Sequence, residues 1–168
     1  MSVAALDSTH FIVADITIAK ARVGTVSGGN SISYGTAVSF HTGAIVSLDS
    51  VAIDSTHVVL VYQNNNNPNL EGFGIVGTIS GGNTISFGTE YTFFSGTANS
   101  PKITKLDSTT VVIAYVDGTT NFGSAVIANV LTGNSLSFGT TMTFNGATTA
   151  SIDITELSST KIFIAYKN

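Results

Sequence analysis

Residues 63 to 69 read Gln-Asn-Asn-Asn-Asn-Pro-Asn, a run of side-chain amides that can each donate and accept hydrogen bonds. That chemistry suits recognition of hydroxyl-rich ligands such as sugars, or simply a well-solvated insertion. Aromatic residues stand near this run and its counterpart further along: Tyr62 and Phe73, then Tyr115 and Phe122. Such rings can stack on the apolar face of a sugar, or pack at the end of a strand. Asp117 with Asn121 forms a turn signal that doubles as a pair of ligand contacts, and Asp15 stands where Tyr62 and Tyr115 stand in the other copies of the pattern. The candidate binding set is therefore Asp15, Tyr62, Gln63, Asn64, Asn65, Asn66, Asn67, Phe73, Tyr115, Asp117, Asn121 and Phe122.

Catalytic and metal chemistry find less to stand on. Asp7, Asp54 and Asp107 each precede Ser-Thr, where an aspartate bonds the backbone two residues on and needs no metal to explain it. His10 and His57 follow two of these turns, but two lone histidines do not make zinc-ligand spacing. No motif joins a serine, histidine and aspartate into a nucleophilic triad. Asp15 and Asp117 are the one carboxylate pair that glycoside hydrolysis could draw on. The expectation is a non-enzymatic binding protein without cofactor or metal.

These residues are carried by a tandem repeat. Ser27 to Thr36 reads SGGNSISYGT, Ser80 to Thr89 reads SGGNTISFGT, and Leu131 to Thr140 reads LTGNSLSFGT. Equivalent positions Ile32, Ile85 and Leu136 lie 53 and 51 residues apart. A second marker, Leu/Ile-Asp-Ser-Thr, begins at Leu6, Ile53 and Leu106, with Leu157-Ser-Ser-Thr as a fourth copy.

Each period reads as four strands. After the Gly-Asn turn, apolar residues alternate, as in Ile85, Phe87, Tyr91 and Phe93, which predicts a half-buried strand. After the Asp-Ser-Thr turn the runs Phe11–Ala14, Val58–Val61, Val111–Ala114 and Ile162–Ala165 are apolar on both faces, which predicts covered, inner strands. A third strand, Val23–Val26, Val76–Ile79 and Val126–Val130, leads into the glycine hairpin. A fourth precedes each Asp-Ser-Thr turn. The connection after the inner strand varies most between copies, which is why the candidate ligand contacts fall there.

The LDST turn, the Phe/Val-Ile-Val-Ala-Tyr strand and the GGN-x-I-S-F-G-T hairpin resemble the blades of β-propellers, of the kind with near-identical blades found in lectin-like and in phage or bacterial surface proteins. The resemblance implies an all-β fold of four-stranded antiparallel blades, about 3.5 per chain, at roughly 2–43, 44–96, 97–146 and a half-blade at 148–168. It implies binding through the rim loops. Propellers need more blades than this to close a ring, so a homodimer completing six or seven is expected. Sialidase-like members hold a carboxylate with clustered arginines, whereas this chain has only Arg22. A β-trefoil also has three four-stranded repeats, but the fourth Asp-Ser-Thr copy counts against it.

Composition narrows the partners. Lys and Arg number 6 against 10 Asp and Glu, a net charge of -4 with no basic cluster, so no nucleic-acid partner is expected. Thr, Ser and Asn supply 24, 20 and 13 residues, so the surface is built of hydroxyls and amides rather than charges. Such a surface favours an extracellular, virion or cell-surface setting, although no basic and apolar leader precedes the first repeat. The apolar runs are strand-sized, so no membrane span is expected. With no cysteine there is no disulfide or thiolate chemistry.

Overall fold

The computed structural model describes residues 1–66 and 70–168, and its regular structure is entirely β. The first sheet holds β1 (Ser2–Ala5), β2 (His10–Asp15), β3 (Lys20–Ser27), β4 (Ser31–Tyr34) and β5 (Val38–Ser39). The second holds β6 (Ile45–Ala52), β7 (His57–Asn64), β8 (Gly72–Ser80), β9 (Thr84–Phe87) and β10 (Tyr91–Phe94). In the third are β11 (Ala98–Lys105), β12 (Thr110–Asp117), β13 (Phe122–Leu131), β14 (Ser135–Phe138) and β15 (Met142–Thr148). β16 (Ala150–Ser158) and β17 (Lys161–Lys167) form a fourth, two-stranded sheet.

The three larger sheets share one antiparallel topology. Each is four strands deep, and its outermost place is divided between two short strands that both pair with the third. No ladder joins one sheet to another among the described residues, so these are separate sheets and not a trefoil barrel.

The strands that follow the Asp-Ser-Thr turn hold the covered, interior place that their apolar runs predict. Strands following the Asp-Ser-Thr turn take second place, and those preceding it form the edge. These edge strands run beside one another in chain order: β1 by β6, β6 by β11, β11 by β16. Asp49 of β6 ties three of them, its Oδ1 accepting from Ser2 Oγ at 3.2 Å and its Oδ2 from Ile103 N–H at 3.0 Å.

The second strands are apolar on both faces because both are covered. On β7, Val58, Leu60 and Tyr62 enter the layer shared with the first sheet, while Val59 and Val61 enter the layer shared with the third. Alternate residues of a strand point to opposite faces, so one apolar run serves two cores. Burying Leu60 alone contributes about 1.5–3 kcal/mol.

The repeated turns have local causes. Asp7 Oδ1 accepts from Thr9 N–H at 2.7 Å and His10 N–H at 2.8 Å, and Asp107 Oδ1 accepts from Thr109 N–H at 2.7 Å and Thr110 N–H at 2.8 Å. Asp54 does the same for Thr56 at 2.6 Å. In the fourth copy, Ser158 Oγ reaches Thr160 N–H only at 3.4 Å. At the other marker, Gly81 and Gly82 take φ of 57° and 78°, the left-handed region that a glycine adopts without a Cβ clash.

Candidate functional site

The connections β2–β3, β7–β8 and β12–β13 are shorter than the sequence suggests, because β3, β8 and β13 begin earlier. Gly72 pairs with Gln63 and Gly74 with Val61, so Gly72–Gly74 is strand. Its glycines make room for neighbours: a Cβ on Gly72 would overlap the Phe93 ring, and one on Gly74 would come within 3.0 Å of Leu136.

The candidate binding residues separate by burial. Tyr62 and Tyr115 are fully buried, with their rings packed on Phe40 and Phe73 in one case and on Phe93 and Phe94 in the other. Their faces are therefore occupied by protein. Gln63 is buried and donates from Nε2 to Asn99 Oδ1 at 3.0 Å. Phe73 and Phe122 are half-buried. Asp15 accepts Thr17 N–H at 2.8 Å and Asp117 accepts Thr119 N–H at 2.9 Å, so each carboxylate holds its own turn. Asn121 is exposed at φ 61°, where its short amide side chain tolerates the left-handed conformation. Asn67 lies outside the described residues.

Asn64, Asn65 and Asn66 are held from beneath. Asn64 is buried, and its Oδ1 accepts Asn66 N–H at 2.9 Å. Asn65 N–H donates to Ala44 O at 2.9 Å. Asn66 Oδ1 accepts Ala44 N–H at 3.1 Å, and its Nδ2 reaches Thr42 O and His41 Nε2, both at 3.2 Å. Asn65 and Asn66 are thus fastened to the link between the first and second sheets.

His41 passes this fastening inward. Its Nδ1 lies 2.6 Å from Glu90 Oε1, and the Tyr62 hydroxyl donates to that same oxygen. With Asn66 donating to Nε2, the imidazole carries its proton on Nδ1 and donates to Glu90. Burial pushes the Tyr62 phenol well above its ordinary range, and the hydrogen bond and charge of Glu90 push it further, so it stays a donor. Burial also raises the Tyr115 phenol; its Thr141 contact works the other way, and the charge of Asp117 adds to the rise.

Beside this chain of bonds lies a cleft of about 280 Å³ between the first two sheets, lined by Ser39, His41, Thr42, Phe87 and Glu90 among others. Glu90 is about a third exposed while the His41 side chain is nearly enclosed. A partly exposed carboxylate with one oxygen held by two internal donors is a fixed acceptor facing solvent. Hydroxyl hydrogens of a polyol are suitable donors to it.

The next junction is built differently. There Tyr115 meets Phe94 and, at 3.4 Å, the hydroxyl of Thr141, which stand in the places of His41 and Glu90. Neither His41 nor Glu90 was singled out by sequence reasoning, which weighed only the loop after the second strand. Aligning the copies sets His41 against Phe94 and Asn145, and Glu90 against Ala37 and Thr141. That contrast was the available signal.

In comparison with known proteins, no family model matches the chain and no curated protein matches it. Among the described residues, no group of three or more His, Asp or Glu could hold a metal ion, and no helix is long and apolar enough to cross a membrane.

Proposed function

We propose that the chain is a non-enzymatic binding module, a β-propeller segment whose rim at the junction of the first and second sheets recognises glycan hydroxyls, and which self-associates through its end faces. The observation that carries this reading is the relay from Asn66 through His41 to Glu90, with Tyr62 as second donor. It holds Asn66 beside a polar cleft, and the equivalent junction has a phenylalanine and a threonine in its place. The repeated, serially stacked antiparallel sheets support the propeller arrangement. Weak contacts at single sites gain avidity when chains associate.

A glycan array tests it, using the wild-type chain beside Glu90→Gln and a chain with residues 64–67 replaced by Gly-Ser. Binding that both changes reduce supports the reading; a blank array, or binding indifferent to both, removes it. A second reading, a scaffold without a small ligand, is favoured by the burial of both Tyr62 and Tyr115, whose faces are closed to a sugar. Hydrolysis through Asp15 and Asp117 has less support, because each already accepts a backbone N–H of its own turn.

A further inference from the structure

The same surface is treated in two ways along the chain. Val23, Val76 and Ile127 are equivalent residues on the outward face of the third strand of their sheets. Val23 and Val76 are completely buried, whereas Ile127 is 46% exposed. The cover comes from the following sheet. Over the first sheet the β8–β9 hairpin lays Ile75, Ile79 and Ile85, and over the second the β13–β14 hairpin lays Val126, Ala128 and Leu136. Each hairpin also seats its tip on a glycine: Asn83 against Gly35, and Asn134 against Gly88.

Over the third sheet no described strand plays this part. The fourth sheet consists of β16 and β17, and one edge of β17 pairs with no described strand. Where a hairpin would lie, a cleft of about 540 Å³ opens, lined by Ala125, Ile127, Met142, Phe144, Ile162 and Ile164. Met142 is 68% exposed. Gly139, the equivalent of Gly35 and Gly88, has nothing nearer to a notional Cβ than Ile127 O at 3.7 Å.

We propose that this cleft and the free edge of β17 form a docking site for a β-hairpin of the repeat's own second-half pattern. The occupant is identified by the two filled junctions, whose interface continues unbroken into the open one. β17 offers backbone donors and acceptors for strand addition. In the register of β7 with β8, Lys161 lies opposite Thr78, Ile164 opposite Ile75 and Tyr166 opposite Phe73 of the incoming hairpin. Ile75 then points into the cleft, and the tip asparagine comes to rest on Gly139. The proposal rests on the packing of the repeats and not on glycan recognition, so a blank glycan array leaves it standing and an unbound hairpin leaves the glycan reading standing.

The test uses the full chain and a synthetic peptide of residues 72–89. Calorimetric titration should give one saturable site, and hydrogen exchange should show the amides of 161–167 protected on binding. Gly139→Val in the chain should weaken binding by roughly tenfold or more, since the same change at Gly35 would collide with Asn83; its unchanged thermal midpoint verifies that the variant folds. Absence of binding, binding that leaves β17 unprotected, or binding indifferent to Gly139→Val would overturn the proposal. Protection of β17 that grows with chain concentration without peptide, and that the peptide competes away, would support it, with a second copy of this chain as the source of the hairpin.

Discussion

The carbonyl oxygen of Asn83 rests against the α-carbon of Gly35, so close that a Cβ there would overlap it. One hairpin tip touches the preceding sheet at the residue that cannot carry a side chain, and Asn134 repeats the arrangement on Gly88 with more room, 3.1 Å to a notional Cβ. The repeated glycine and asparagine of the SGGN-x-I-S-F-G-T motif are therefore two halves of one contact between neighbouring sheets. Gly35→Ala is expected to cost about 1–3 kcal/mol, as overpacking does. Gly88→Ala should cost less and Gly139→Ala close to nothing. Urea unfolding of the three variants checks the order; equal effects at all three positions would refute the contact.

The alkaline limb of stability should report Tyr62. Its phenol is raised in the folded chain by burial and by Glu90, whereas in the unfolded chain it ionises near 10.0. Below that pH both states hold the proton and stability is complete. Above it the unfolded state loses the proton first, so stability falls as pH rises, by about 1.4 kcal/mol per pH unit for one such phenol. Tyr62→Phe should flatten that slope, while costing about 1.5–3 kcal/mol at neutral pH through the lost bond to a carboxylate. Ultraviolet titration offers a second view, in which Tyr62 and Tyr115 ionise only as the chain unfolds.

The acid limb should report the Asp-Ser-Thr turns. Hydrogen bonds from the Thr9 backbone, from His10 and from the Thr9 side chain hold Asp7 below the carboxylate range, and the Thr109 backbone leads the same effect at Asp107. At Asp54 partial burial acts upward, but bonds from Thr56 and His57 outweigh it. A depressed folded pKa means stability is present above the unfolded value of 3.8 and is lost as pH falls through the folded one. Replacing all three by Ser, the residue of the fourth copy, should lower the thermal midpoint at pH 7 and make it less sensitive to acid between pH 4 and 2. That window runs from about the ordinary aspartate value to roughly two units below it. An unchanged pH profile would show that the turns do not depend on the carboxylates.

Legibility in the sequence followed the range of the interaction. The turns and the apolar second strands depend on residues a few positions apart, and the repeat made them plain. That the strands before the Asp-Ser-Thr turn form the edges depends on how neighbouring sheets stand beside one another, which no local pattern carries. Gly72–Gly74 read as loop because glycine disfavours strands, yet Phe93 and Leu136 occupy the space that side chains there would need. Tyr62 read as a ligand contact because its burial depends on Phe40 and Phe73, neither adjacent to it in the chain. His41 and Glu90 meet across 49 residues, and only the difference between copies marked either of them.

The first sheet shows the same logic from its uncovered side. Ile32 is 55% exposed, while its equivalents Ile85 and Leu136 are buried against a preceding sheet. Val3, Val26 and Tyr34 are exposed with it, and Arg22 lies over the Tyr34 ring at 4.3 Å from its centroid. In the register of β1 to β4, Val3 lies opposite Val13, Val13 opposite Arg22 and Val26 opposite Ile32, so these residues share one face of the sheet. A contiguous apolar face of this kind favours association. If a second chain covers it, Ile32→Lys with Tyr34→Glu should shift the solution mass from dimer to monomer in light scattering. The monomer's unfolding midpoint at high dilution should stay within about 0.5 kcal/mol of wild type, because exposed positions contribute little to the folded chain. A wild-type chain that is monomeric at every concentration would exclude association through this face.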